Sequence, residues 1–419
     1  MGRTRSGLLG IFLCCAVCAG AFAEGDVLTK HRTNVRDWTV RINVNMRPDR
    51  MRRAAPLGSG GFFIPRTGSI EFKDASFVFP ILAESAVHET YLDRTVSRTI
   101  IKGRKVTEGE IKEVAALPDE RELELTLGPV NIQDVITFKL EYPMTCYETR
   151  IDERRAMQIE WLREEWPEEA RPYLKPQHFI ESNDASIKTL VEAWTKGEPR
   201  RAKPYYLAKY LTGKTLEHYL PTEGSYREQA VPFAGRLLDT KDHSGFLLNG
   251  ASHAAQERRG PIHDLVNLQI AVFRAAGIPA RLVIALDPLE TDLKQFPVFH
   301  SWSEFYLYDE PNDRGEWIPV DIIRQRAYSS KAPPINRAWE FFGKHELTDK
   351  LIPIASRWRP LRPGHGPHSG PALFGWLTDP DPQICRQELR IVGFETPMKA
   401  GSEELEKRKE RSRPPAQRK

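Results

Sequence analysis

The segment 261–276 constrains the fold more than any other part of this sequence. Pro261 suits the first turn of a helix and Gly277 suits its end. Between them, apolar residues recur at spacings of three and four, and others widen the same face. These residues are Ile262, Leu265, Val266, Leu268, Ile270, Val272, Phe273 and Ala276. The pattern predicts a helix that packs on other elements.

Three short apolar segments follow this helix at hairpin-length spacing. Pro279 begins a turn into a predicted strand at 281–286, and a loop separates that strand from a second one at 302–308. A polar turn then leads to a third predicted strand at 317–321. One helix followed by three such strands indicates an α+β unit.

Earlier in the chain, apolar and polar residues alternate with period two. The alternation is clear at 38–46, 122–127 and 136–142, and it predicts half-buried antiparallel strands. Turns are expected at 58–61 and around Pro65. We therefore expect a β-rich, sandwich-like N-terminal domain over 24–150, with a binding or scaffolding role.

Helical patterns connect the two regions. Charged residues with apolar residues between them at 154–169 predict a linker helix within 151–174. The sequence 183–186 is typical of a helix start, and the helix should continue through Trp194. A further helix is predicted at 206–219.

The N-terminus has the pattern of a signal peptide. Arg3 and Arg5 precede an apolar run at 8–21, and Ala21-Phe22-Ala23 suits a cleavage site. The run is short for a membrane span. We expect a signal peptide at 1–23 and a secreted or periplasmic protein without an integral membrane span, with an uncleaved anchor as the alternative.

Cysteine content and charge exclude several classes of function. Three of the five cysteines lie in the leader, so Cys146 and Cys385 are left either to form one disulfide or to remain two buried thiols. The 61 basic and 57 acidic residues nearly balance, which argues against a nucleic-acid partner. The Glu/Lys/Arg-rich tail at 399–419 is expected to be disordered.

Three separated blocks of the sequence resemble the core signature of transglutaminase-like proteins. The block 259–281 is similar to the family's Gly-x-Cys-x-Asp start and Arg-Ala-x-Gly-Ile-Pro-Ala-Arg end. The block 300–306 resembles its His-x-Trp-x-Glu strand, and 317–321 resembles its Trp-x-x-x-Asp strand. The resemblance implies an α+β, papain-type core at 175–330, with a helix packed on an antiparallel sheet. Two later pieces, 341–343 and 356–359, imply a C-terminal extension of the core over 331–398.

The resemblance also assigns site positions. His300 matches the base and Asp321 matches the acid that orients it, but Ile262 stands where the family has its nucleophilic cysteine. Asp264 and Arg274 fix this register. A thiolate at a helix N-terminus attacks the substrate in such sites, and isoleucine has no ionisable atom. The resemblance therefore implies a catalytically inactive relative, a pseudoenzyme that binds or scaffolds.

Several residues near these positions have structural alternatives to a functional role. His300 and Asp321 could be retained for folding or capping, and His263 could be a surface or capping residue. His263, Asp264 and Trp302 are the candidates for lining a cleft. Structural ion pairs or a core position are expected for the remaining members of the motif, Arg274, Arg281, Glu304 and Trp317.

Two rival functions stay open. An enzyme with a displaced nucleophile needs an oxygen or sulfur within hydrogen-bond reach of His300, and the candidates are Ser301, Ser303, His263, Cys146 and Cys385. Alternatively, the N-terminal domain is the functional part. No cofactor is expected, and the spacing of His263, His300 and Asp321 is not a metal-ligand signature. The partners considered for an exported protein of this type are a peptide, a protein or a cell-wall polymer.

Overall fold

The computed structural model describes most of the chain between residues 28 and 395. The described residues are 28, 31–48, 70–72, 74–101, 104–107, 110–113, 117–127, 130–132, 136–225, 246–294, 297–329, 331–359, 373, 375–379 and 385–395. The expected leader, the turns at 58–61 and Pro65, and the charged tail lie outside these residues.

The first part of the described chain consists almost entirely of strands. They are β1 (His31–Pro48), β2 (Ile70–Phe72), β3 (Asp74–Leu82), β4 (Glu84–Ser85), β5 (His88–Thr90), β6 (Val96–Ile101), β7 (Arg104–Thr107), β8 (Glu110–Glu113), β9 (Glu120–Leu127), β10 (Val130–Ile132) and β11 (Ile136–Arg150).

Helices and strands alternate in the rest of the described chain. In order they are α1 (Glu153–Ala156), α2 (Ala185–Thr195), α3 (Pro204–His218), β12 (Leu220–Glu223), α4 (Ala251–Glu257), β13 (Arg259–Pro261), α5 (Ile262–Ala275), β14 (Ala280–Leu286), α6 (Pro288–Lys294), β15 (Phe299–Asp309), β16 (Arg314–Val320), α7 (Ile322–Tyr328), β17 (Lys344–His345), β18 (Ile352–Ala355), β19 (Gly375–Asp379) and β20 (Cys385–Glu395).

Apart from β2 and β10, which pair with each other, the N-terminal strands form two antiparallel sheets that share one apolar core. In the first sheet β1 pairs with β11, and alternate residues of β1 such as Val40 and Ile42 are buried. The second sheet has the order β19-β3-β9-β8, and Phe79 and Leu123 from it belong to the same buried cluster. The three strands predicted from period-two alternation are confirmed, because each covers one face of this core.

The C-terminal strands return to the N-terminal sheets. Strand β20 pairs with β1, and β19 pairs with β3, whereas only β18 joins the sheet of the core by pairing with β14. Of the expected extension of the core at 331–398, β18 therefore adds to the core sheet, whereas β19 and β20 add to the N-terminal sheets. A long strand such as β1 has backbone groups on both edges to satisfy, and β20 satisfies the edge that β11 leaves open.

The predicted helix and three-strand unit forms the core of the second half. Helix α5 packs on a four-stranded antiparallel sheet of order β16-β15-β14-β18. Ser303 on β15 donates to the Gln269 side chain of α5 at 2.8 Å, and the rings of Phe305 and Phe273 lie 5.8 Å apart. The α+β fold class is confirmed. Pro261 precedes the first helical residue, and Gly277 has φ +85° just after the helix.

The prediction of a helix over 154–169 is wrong. The predicted helix that starts at 183–186 and the predicted helix at 206–219 are confirmed as α2 and α3. Only the short α1 forms in the linker region. The indole N–H of Trp161 donates to the carbonyl of Ala202 at 2.7 Å, and that of Trp166 donates to Gly277 at 3.1 Å. These two hydrogen bonds hold the segment against the core. In addition, Pro167 has no backbone N–H with which to continue a helix.

Cys146 and Cys385 do not form a disulfide. Cys146 is free and buried, its Sγ lies 3.6 Å from Met144 Sδ, and burial raises the pKa of its thiol. Along β1, Cys146 lies opposite Arg36 and Cys385 opposite Pro48. Those two positions are roughly 40 Å apart on an extended strand, far beyond the reach of a disulfide.

No helix within the described ranges is both long enough and apolar enough to cross a bilayer.

The two halves of the molecule are joined by a buried charge cluster. Arg281 on β14 bonds to Glu304 on β15 at 2.8 Å and to Asp119 before β9, and its guanidinium lies 4.1 Å above the Trp317 ring. Glu304 also accepts the backbone N–H of Ala86 at 3.1 Å. This cluster ties the second sheet and the β4–β5 turn to the core.

Replacing Arg281 with Met should lower the free energy of unfolding by about 3–5 kcal/mol, because it leaves Glu304 buried without its cation. The matched control is Arg41→Met, which breaks the exposed pair with Glu141 at 2.7 Å and should cost less than about 1 kcal/mol. Urea unfolding of both variants measures the difference. Equal effects would contradict the proposed importance of the cluster.

Candidate functional site

Ile262 is the first residue of α5, and the chain reaches it through a fixed turn. Gly260 has φ +143°, and a Cβ there would lie 3.0 Å from the Tyr219 hydroxyl. That hydroxyl donates to the carbonyl of Pro261 at 2.8 Å. Glycine is therefore required at this position. The Ile262 side chain is half-buried, so part of its hydrocarbon surface faces solvent.

His300 and Asp321 form a hydrogen-bonded pair on neighbouring strands. His300 lies at the start of β15 and Asp321 directly follows β16, which pairs with β15 in antiparallel register. His300 Nε2 lies 2.6 Å from Asp321 Oδ2, and the backbone N–H of Arg324 donates to Oδ1 at 2.9 Å. The imidazole is 16% exposed, whereas the carboxylate is completely buried.

The charge state of Asp321 fixes the orientation of the His300 ring. Burial alone would raise the pKa of Asp321, but His300 and His345 beside it hold that pKa well below its usual range. A carboxylate only accepts hydrogen bonds, so Nε2 of His300 carries a proton toward it. The other ring nitrogen, Nδ1, has no hydrogen bond to any residue that the structure describes. It is the free polar atom of the pair.

The head of α5 lies against the start of β15. His263 Nδ1 lies 2.8 Å from Ser301 Oγ, and these residues directly follow Ile262 and His300. The bond therefore joins the residues that follow Ile262 and His300 in the chain. The expectation that His263 is a surface or capping residue is wrong, because its side chain is buried against the rings of Phe246 and Trp358. Burial and the nearby His300 lower the pKa of His263 to about 3.

Asp264 and Trp302 do not line an open cleft. Asp264 is buried and accepts the backbone N–H groups of Asn249 at 2.9 Å and Gly250 at 3.2 Å, so it fastens the preceding loop to α5. Burial raises the pKa of this carboxyl to about 7. Trp302 is completely buried, and its indole N–H donates to Glu304 at 3.2 Å. Together with His263, all three expected cleft residues have structural contacts.

The candidate displaced nucleophiles point elsewhere. Ser301 bonds to His263 and Ser303 bonds to Gln269, so both hydroxyls are already engaged with side chains of α5. Cys146 lies within the N-terminal sheet, and the side chain of Cys385 lies outside the described residues. In the part of the chain that the structure describes, His300 has no hydroxyl or thiol partner, and no acidic, His or Cys group has the arrangement of a metal site.

The sequence did not reveal His345, which also contacts Asp321. Its Nε2 lies 3.1 Å from Asp321 Oδ2, its side chain is completely buried, and its ring lies 5.5 Å from that of Trp302. The only signal was its position two residues after the block 341–343. That block marked the segment but not the contact.

A shallow surface recess lies next to the entry of α5. Its volume is about 320 Å³, and its lining belongs to β12, α4 and β13: Thr222, Glu223, His253, Glu257 and Arg259.

Comparison with known proteins agrees with this architecture. Residues 208–322 match the family model of the transglutaminase-like superfamily, and this range includes Ile262, His300 and Asp321. The chain thus contains a transglutaminase-like domain within an α+β fold. No curated protein matches the sequence.

Solved structures resemble the chain at low identity. A candidate cysteine protease from Cytophaga hutchinsonii has 14% identity and a TM-score of 0.49, with 89% of this chain and 95% of that one covered. The periplasmic domain of TgpA from Pseudomonas aeruginosa, bound to ethylmercury, has 14% identity, a TM-score of 0.27 and coverages of 68% and 89%. A candidate protease from Parabacteroides distasonis has 9% identity, a TM-score of 0.22 and coverages of 71% and 60%.

The buried neighbours His263 and Asp264 should have opposite effects on the pH dependence of stability. The folded pKa of His263 lies below its unfolded value, so its contribution is lost as pH falls below about 6.5. The folded pKa of Asp264 lies above its unfolded value, so its contribution grows as pH falls from about 7 to 4. Each slope approaches about 1.4 kcal/mol per pH unit, and the two nearly cancel in the wild type.

Single substitutions should therefore reveal one slope at a time. Relative to wild type, His263→Gln should gain stability as pH falls from about 6.5 to 4, and Asp264→Asn should lose it over the same range. Urea unfolding at several pH values measures both. Slopes of the same sign in the two variants would contradict the assigned pKa directions.

Proposed function

We propose that this protein is an exported binding or scaffold module of the cell envelope, and that its transglutaminase-like domain does not catalyse acyl transfer. The observation that carries this proposal is the position of Ile262. It is the first residue of α5, and the next residue, His263, bonds to Ser301 beside His300, which itself bonds to Asp321. Export is inferred from the leader at 1–23.

The chemistry of thiol acyl transfer explains why Ile262 matters. The nucleophile must donate an electron pair to a carbonyl carbon and then hold the acyl group until a second acceptor takes it. A branched hydrocarbon can do neither. In a well-studied serine hydrolase, loss of the nucleophile costs on the order of 10⁶ in kcat. The base and its orienting acid cannot replace that step.

The same residues are suited to binding. Ile262 offers part of an apolar side chain to solvent, and His300 offers Nδ1 as a free polar atom nearby. Ligand sites combine apolar surface with a small number of placed polar groups that fix orientation. We propose a peptide, a protein segment or a cell-wall polymer as the partner.

The alternative is an amidase or peptidase with a displaced nucleophile. The contacts of Ser301 and Ser303 do not favour it, because both hydroxyls already bond to residues of α5. Cys146 does not favour it either, since burial raises the pKa of its thiol and so suppresses the reactive thiolate.

The proposed function predicts that the wild-type protein is inactive and that Ile262→Cys gains activity. The wild-type protein should show no hydrolysis or transamidation of glutamine- and peptide-type substrates. Ile262→Cys should acquire measurable turnover, because the His300–Asp321 pair can take the thiol proton. Ile262→Cys combined with His300→Ala should lose that turnover, because the thiol then has no base. Steady-state assays of purified protein measure all three.

Ala275→Cys is the matched control, since it adds a partly exposed thiol at the far end of the same helix. It should remain inactive. Wild-type turnover that His300→Ala abolishes would overturn the proposed function and establish a displaced nucleophile.

A further inference from the structure

We infer that His345 is a positioning residue for the His300–Asp321 pair, and that the N-terminal sheet holds it in place. His345 lies on β17, which pairs with the end of β11 through Thr149↔His345 and Arg150↔Lys344. Strand β11 belongs to the first N-terminal sheet. The acid of the candidate site is thus contacted by an imidazole that extends the N-terminal sheet rather than by a residue of the core alone.

The hydrogen-bonding partners of His345 specify its protonation. Its Nδ1 lies 3.2 Å from the carbonyl oxygen of Glu346, and its Nε2 lies 3.1 Å from Asp321 Oδ2. Both partners are acceptors, so protons on both nitrogens make both contacts attractive. The Nε2 contact is not an aligned hydrogen bond. It is therefore a charge contact between an imidazolium and a carboxylate.

This pairing changes what His300 must supply. Asp321 is completely buried, and a buried carboxylate needs a compensating cation. His345 provides one, and Arg324 provides a second, since its Nε lies 3.6 Å from Asp321 Oδ2. His300 can then stay neutral, with its proton on Nε2 and a lone pair on Nδ1. Nδ1 of His300 is thus free at the surface because the buried His345 balances the charge of Asp321.

The segment 341–345 forms the physical link between the sheets. The backbone N–H of Asp321 donates to Phe341 at 3.0 Å, that of Gly343 donates to Pro319 at 2.9 Å, and that of Ile151 donates to Gly343 at 3.0 Å. The ends of β16 and β11 are thus bonded to the same short segment. This gives the N-terminal domain a role in the candidate site, whether or not the site is catalytic.

Gly343 is required at the centre of this link. Its φ is +69°, and a Cβ there would lie 2.8 Å from the Tyr205 hydroxyl and 2.9 Å from Ile151 Cγ2. Any side chain would push the segment away from α3 or from the end of β11.

The direct test is nuclear magnetic resonance of the wild-type protein with ¹⁵N-labelled histidine rings. Long-range ¹H–¹⁵N spectra near neutral pH distinguish doubly protonated from singly protonated rings, and His345→Gln and His300→Gln assign the two signals. We expect protons on both nitrogens of His345 and on only Nε2 of His300. A singly protonated His345 would overturn the inference.

Substitutions test the positioning role itself. His345→Phe keeps a ring but removes the cation, so His300 should lose its single Nε2–H state and show a mixture of ring states. His345→Gln keeps an N–H donor and should restore part of the wild-type signal. His88→Phe is the control, because His88 is equally buried in the N-terminal sheet but bonds to Ser85 and Leu82. It should lower stability without altering His300.

An unchanged His300 signal in His345→Phe would contradict the positioning role. If His345→Phe does not fold, the wild-type spectrum and His345→Gln decide the question.

Discussion

The hydrogen bond between His300 and Asp321 depends on the pairing of β15 with β16, and much of the surrounding structure serves to hold it. The carboxylate is buried, so it needs donors on every side. His300 and the backbone of Arg324 donate hydrogen bonds to it, and His345 adds a charge contact, each from a different element. Each donor is placed by backbone pairing or by a helix cap. The local geometry of the site thus follows from the register of its strands.

The two faces of β15 explain how the halves of the molecule fit together. One face carries Ser301, Ser303 and Phe305 toward α5, where they bond to or pack against residues of that helix. The other face carries Trp302 and Glu304 toward the N-terminal strands. Because both faces are covered, the strand is buried along nearly its whole length. Only His300 near its start and Tyr308 near its end are partly exposed.

The sequence predicted the elements whose periodicity reflects local packing. Strands β1 and β11 were clear because each buries alternate residues, and helix α5 was clear because its apolar residues recur at helical spacing. The pairing of His300 with Asp321 followed from a family resemblance over separated blocks. The linker helix failed because charged residues suggested helix, while Trp161 and Trp166 found carbonyl partners far away in sequence. Tertiary contacts of this kind leave no periodic signal.

Non-local pairing also hid the C-terminal strands and His345. Strand β20 closes the open edge of β1 from the far end of the chain, and β17 is only two residues long. Neither strand has a sequence pattern that identifies the strand with which it pairs. His345 could be recognised only once Asp321 and β11 had positions in space. The sequence therefore located the pair at the site but not the residue that balances the charge of Asp321.

The proposed function requires Ile262 to face the His300 imidazole across the head of α5. The most direct test is a titration of the thiol in Ile262→Cys, followed by the ultraviolet absorbance of the thiolate. A thiol that faces His300 at a helix N-terminus should have a pKa well below the ordinary value of about 8.5, and adding His300→Ala should raise it again. A thiol pKa at or above the ordinary value, unchanged by His300→Ala, would contradict the account.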